Sequence, residues 1–172
     1  MTDPRVPYLD LQPADERAAL TQRLDHYRAI VAQTLSGTDW PLASTRVLPA
    51  TDLTIAGIVR HLSWVETRWL VGRFLGDPMP APWDAPGADD PDDAMRLRPD
   101  DTADGLRALY VGACELSRTI VDDCPSLDQI AVVTSFGRGP VNLRWILVHL
   151  IDETARHAGH LDLLHDAASG AA

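Results

Sequence analysis

Lysine is absent: all 15 basic residues of the 172-residue chain are arginine, and 25 acidic residues take the net charge to −10. Without a cluster of basic residues no face suits a phosphate backbone, so nucleic-acid binding is excluded, and an anionic membrane surface is disfavoured for the same reason. No apolar run reaches the roughly 18 to 20 residues that a membrane-spanning helix needs. The opening Met1-Thr2-Asp3-Pro4 has neither the basic nor the apolar region of a signal peptide, so a cytoplasmic location is expected. Cysteine is scarce. Cys114 and Cys124 form no CxxC pair and read as reduced intracellular thiols, unable to meet if both lie on one helix. HExxH is missing, which leaves zincin-type proteolysis unsupported, and so are the paired Glu-x-x-His helices of di-iron bundles. The arginine bias, with abundant Ala and Asp, points to a GC-rich source genome.

What remains is average globular usage, 45% hydrophobic and 23% charged, at a length that suits one domain over residues 1–172. Four helical stretches emerge. The first, 13 to 35, places Leu20, Leu24, Tyr27, Val31 and Leu35 at three-to-four spacing and stops at Gly37. The second starts at Thr54 as cap and runs to about Leu75, stopped by Gly76-Asp77-Pro78. Residues 76 to 100 carry too much Pro and Asp for helix or central strand and read as a long loop, the kind that is functional or mobile. A third helix fits 101 to 123, started by Asp101 or Thr102 and closed by Pro125, and a fourth runs from an Asn142 cap to about Asp166. Residues 127 to 133 read as an extended connection. The expected architecture is an all-α four-helix bundle with long connections between helices 2 and 3 and between helices 3 and 4.

The fourth helix holds the chemistry. His149, Glu153, His157 and His160 fall at ~0°, ~40°, ~80° and ~20° around its axis, one narrow stripe. Imidazoles and a carboxylate on one face suit a borderline divalent ion such as zinc, iron or nickel. A further ligand must come from another helix, and the second helix has a single histidine, His61. The competing reading is a half-polar seam of hydrogen-bonded core histidines, which loses ground because burying several imidazoles with Glu153 leaves costly unpaired groups. His26 and His165, without partner spacing, read as surface residues near helix ends.

The strings Val-Arg-His-Leu-Ser-Trp-Val-Glu-Thr-Arg-Trp (59–69), Phe-Leu-Gly-Asp-Pro (74–78) and Leu-Arg-Trp-Ile-Leu-Val-His-Leu-Ile-Asp-Glu-Thr-Ala-Arg-His-Ala-Gly-His-Leu-Asp-Leu-Leu (143–164) carry a resemblance. With the pattern of the first helix they cover nearly the whole chain, which resembles the DinB/YfiT-like superfamily. The closer likeness is to its actinobacterial branch related to mycothiol-dependent enzymes, of the mycothiol S-transferase and maleylpyruvate isomerase type. The resemblance implies a divalent metal, zinc most naturally, on His61, Glu153 and His157. Glu153 stands where the all-histidine version of the site has histidine, adding a negative ligand. His160 is then a substitute ligand or a supporting residue, and His149 a supporting or core residue.

A three-ligand metal with an open position lowers the pKa of what it binds, so a thiol there becomes a nucleophilic thiolate at neutral pH. The resemblance implies mycothiol as that thiol, passed to an electrophile or used for isomerisation, and a homodimer. The alternative is a non-catalytic, stress-related metal-binding bundle; a metallohydrolase is a weaker third. Arg156 and Arg144, with Arg68 and Arg138, are candidates for an anionic part of the thiol or substrate, against surface ion pairing for each. Glu66 reads as an acceptor for a ligand imidazole or as a solvent-facing charge. Trp64 and Trp69 read as core. Met79 and Trp83 are placed to shape a substrate pocket from the long loop, or Trp83 simply pins that loop down.

Overall fold

Each long helix starts where a short polar side chain satisfies a free N–H of the first turn. In the computed structural model, which describes residues 15–84, 90–134 and 139–170, Asp15 accepts from the Ala18 N–H and opens α1 (Glu16–Ser36). The expected start at Pro13 lies outside the described residues. A short α2 (Trp40–Ala43) follows. Thr54 accepts from Gly57 to open α3 (Ile55–Thr67), Thr102 from Gly105 to open α5 (Ala103–Asp123), and Asn142 from Trp145 to open α6 (Leu143–Ala168).

Two departures from the expected elements matter for the site. The second helix does not stay α-helical to Leu75: Arg68–Leu75 is a π-helical continuation of α3, ended by Gly76 in the left-handed conformation at φ 74°. The long loop also contains a helix, α4 (Pro91–Met95), with Asp90 accepting from the Asp92 N–H and Pro91 at its first position, where a missing N–H costs nothing. Residues 127–133, expected to be extended throughout, instead open with a turn at Leu127-Asp128, closed by the Gln129 N–H on the Ser126 carbonyl, and run on irregularly. Among the described residues no strand forms, and the segment makes one isolated bridge, Ile130 to Asn142. Its Val132 and Val133 N–H groups donate to the carbonyls of Phe74 and Arg73, filling acceptors that the end of the π-helical segment leaves open.

α1 packs along α6 and α3 along α5, which makes the expected four-helix bundle, of the DinB-like all-α type. α3 is its axis: every residue from Ile55 to Thr67 is buried. A helix buried all round must pair its polar groups internally. Ser63 and Thr67 turn their hydroxyls onto the carbonyls of Val59 and Ser63. Glu66 accepts two 2.7 Å bonds from Arg28 on α1, so it is neither a solvent-facing charge nor a partner of a histidine. Arg60 donates to the Ala94 carbonyl at 3.0 Å, lies 3.5 Å from Asp101 and sits under the Trp83 ring, 4.7 Å from its centroid. Through Arg60 the long loop is fastened to α3, and Trp83 is buried there. Gly57 is required at the α3–α4 crossing, because a Cβ would stand 2.6 Å from the Met95 carbonyl oxygen. No helix among the described residues is long and apolar enough to cross a membrane.

Candidate metal centre

α3 and α6 pass one another antiparallel: His61 meets His157 with ring centroids 5.1 Å apart, and eight residues further along α3 Trp69 meets His149 at 4.4 Å. This crossing brings His61, Glu153 and His157 together, with one ligating atom of each within 4.8 Å of the other two. Glu153 Oε2 lies 3.6 Å from His157 Nε2. A tetrahedral ion with bonds of about 2.0 Å needs ligand separations of about 3.3 Å, so only small side-chain movements separate this arrangement from a bound geometry.

The remaining ring nitrogens are held from behind. His61 Nδ1 lies 3.3 Å from the Pro91 carbonyl; a carbonyl only accepts, so Nδ1 carries the hydrogen and Nε2 keeps its lone pair. His157 Nδ1 lies 3.4 Å from Nδ1 of His160. With a metal on His157 Nε2, the hydrogen of that ring would sit on Nδ1 and be donated to His160. His160 therefore stands behind His157 rather than beside Glu153, which favours support over substitution.

Burial lowers the pKa of His61, against the attraction of Glu153, and takes His157 down to about 4 with help from the neighbouring His61, His160 and Arg156 charges. Both imidazoles are thus neutral at pH 7, the form that binds metal. Glu153 is the anionic member, its side chain 17% exposed, with Arg156 at a loose 3.7 Å. Two neutral imidazoles and a carboxylate short of close cationic partners fit a divalent cation.

The other sequence candidates fall elsewhere. His149 is half-buried between Trp69 and Trp145. Arg156 is on the rim of the triad, 60% exposed. Arg144 is at the far end of α6, bound to Glu16 and Asp128. Arg68 begins the π-helical segment, and Arg138 lies outside the described residues. Trp64 is buried and stacks on His61 at 5.8 Å. Met79 packs over Gly72, where a Cβ would meet its sulfur at 2.9 Å. His26 is in the middle of α1, half-buried edge-on to Tyr27, and His165 meets the Thr38 hydroxyl at 3.1 Å, so neither is a free surface residue. Sequence reasoning missed Pro91 and α4; the signal was Asp90-Pro91, an N-cap followed by proline inside a stretch read as loop.

Comparison with known proteins bears on what this arrangement belongs to. No curated protein matches the chain. A solved structure, described as that of a conserved protein from Enterococcus faecalis, superposes with a TM-score of 0.71 at 15% identity, over 92% of this chain and 99% of that one. At that identity the likeness shows the shared fold alone. Residues 19–170 match the family model described as Mycothiol-S-transferase, a span that runs from α1 through α6, and the chain belongs to that family.

Proposed function

We propose that this protein is a divalent-metal-dependent S-transferase that joins mycothiol, or a thiol of that type, through its sulfur to a small electrophile. The observation that carries this reading is the convergence of His61, Glu153 and His157 inside a chain of the mycothiol-S-transferase family. Zinc suits the donor set, with nickel and iron compatible by chemistry.

When bound, the ion supplies acidity: it lowers the pKa of a thiol at its open position so that thiolate is available at neutral pH. The chain's own residues do the rest. Pro91 and His160 fix the ring orientations of His61 and His157, so the site is arranged before substrate arrives. Glu153 lowers the net positive charge of the centre, which keeps the sulfur nucleophilic rather than tightly held. Arg156, exposed at the rim, is placed to bind a carboxylate or hydroxyl of the thiol's body. In the overall step the sulfur–carbon bond forms, the leaving group departs with its bonding pair, and the thiol proton passes to solvent. Cys114 and Cys124 are buried free thiols outside this site.

The test is conjugation of mycothiol with an activated electrophile, with and without added zinc. Metal-dependent turnover above the uncatalysed rate, lost in His157→Ala, supports the proposal; no turnover across several thiols and metals refutes it and leaves a metal-binding bundle without catalysis.

A further inference from the structure

Arg60 is a buried cation that the proposed chemistry does not use. It stands on α3 one residue before His61 and is 4% exposed, and a guanidinium so placed is costly unless fixed acceptors surround it. Its acceptors all belong to the long loop. Nη1 donates to the Ala94 carbonyl at 3.0 Å and to the Asp93 carbonyl at 3.4 Å, and Nε lies 3.5 Å from the Asp101 carboxylate. The buried Trp83 ring covers the guanidinium face and keeps water from these bonds.

Asp93 and Ala94 belong to the last turn of α4 (Pro91–Met95), where carbonyls have no partner inside the helix. Arg60 supplies those partners from a different helix. Five residues are too few to hold a helix in water, so α4 depends on contacts at its ends: Asp90 bonds the Asp92 N–H at the start and Arg60 holds the finish. The same short helix presents the Pro91 carbonyl to Nδ1 of His61 at 3.3 Å. At about 1.5 Å rise per residue, Pro91 and Ala94 are about 4.5 Å apart along the α4 axis. The grip on residues 93 and 94 therefore sets where the Pro91 oxygen lies.

We propose that Arg60 is a positioning residue for His61: by closing α4 it aims the Pro91 carbonyl at Nδ1, which keeps the hydrogen of the neutral ring there and leaves the lone pair on Nε2 for a metal. The inference rests on the metal reading of His61 above and not on the reaction run there. A neutral imidazole has one bare nitrogen, so a ring free to carry its hydrogen on Nε2 spends part of its time unable to bind an ion through that atom. Fixing the tautomer and the ring plane beforehand removes that loss. Arg60 and His61, neighbours in sequence and about 100° apart on α3, thus work as a pair. One holds the loop and the other is held by it.

Two measurements on the full chain test this: the tautomer of His61, from proton–nitrogen NMR of histidine-labelled, metal-free protein at neutral pH, and zinc affinity by chelator competition. The wild type should show a single form with the hydrogen on Nδ1. Arg60→Met should give a mixture of tautomers and bind zinc about tenfold more weakly. Arg60→Lys keeps the charge but offers a point donor where the guanidinium spans two carbonyls, so it should show the same changes on a smaller scale, about threefold in affinity. It decides the matter if Arg60→Met does not fold. Arg28→Met, which removes a buried cation that meets α3 at Glu66 instead, should leave the His61 tautomer and the zinc affinity as in the wild type. A wild-type tautomer and affinity in both Arg60 variants overturn the proposal. So does an equal loss of zinc affinity in Arg28→Met, which would make the effect a general loosening of the bundle. Failure of the metal reading shows separately, as a wild type that takes up no zinc, because the tautomer is recorded without metal.

Discussion

Replacing Arg28 by methionine should damage the protein more than replacing both members of its ion pair. Arg28 Nε and one terminal nitrogen each lie 2.7 Å from an oxygen of Glu66, and the two side chains are 6% and 2% exposed. The guanidinium pKa is raised: burial works against its charge and the Glu66 carboxylate outweighs that. Removing Arg28 leaves a carboxylate buried in the central helix with its ligand gone, a loss of about 3–5 kcal/mol. Asp25, 2.8 Å from Arg28, keeps Arg118 at 3.0 Å and some solvent, so it adds little. For a chain of this size 1 kcal/mol shifts Tm by about 2–4 °C, so Arg28→Met should lower Tm by about 6–20 °C. The double variant Arg28→Met, Glu66→Leu removes both charges, and most of the loss should return. Thermal and urea unfolding followed by circular dichroism at 222 nm measures all four corners of the cycle. A single variant within about 1 kcal/mol of wild type, or a double variant no better than the single, refutes the reasoning.

In the metal-free protein, His61 and His157 have folded pKa values below the ordinary 6.5, His157 near 4. The unfolded chain then binds more protons between those values, so stability should fall as pH drops from about 7 toward 4 and be indifferent to these groups above 7. Urea midpoints at pH 7.5 and 5.0 check the sign, and the difference should shrink in His157→Gln. His160→Ala should keep one equivalent of metal but bind it about 10- to 100-fold more weakly in chelator competition, because His157 loses the partner of its Nδ1. Complete loss of metal in that variant would make His160 a ligand.

Helix starts were legible because capping is local: Thr54, Thr102 and Asn142 each bond the N–H three residues on, as their positions before apolar runs imply. The stripe on α6 was legible because helical periodicity puts Glu153 and His157 on one face, and the antiparallel crossing supplies His61. The π-helical turn from Arg68 was not, since nothing in Arg-Trp-Leu-Val-Gly-Arg-Phe-Leu distinguishes it from an ordinary helix and its end is satisfied by the distant Val132 and Val133. The role of Glu66 escaped for a similar reason, its partner Arg28 being 38 residues away; ion pairing of Arg144 was among the readings, but its partners Glu16 and Asp128, 128 and 16 residues away, come into contact only in the folded bundle.

The account turns on whether three side chains from two helices hold one ion. Elemental analysis of purified protein, wild type beside His61→Ala, Glu153→Ala and His157→Ala, measures this directly. Near one equivalent of a divalent metal in the wild type, lost in all three variants while their helix content stays intact, is the predicted result. Retention of metal without Glu153, or a wild type that binds none when metal is supplied, would contradict it.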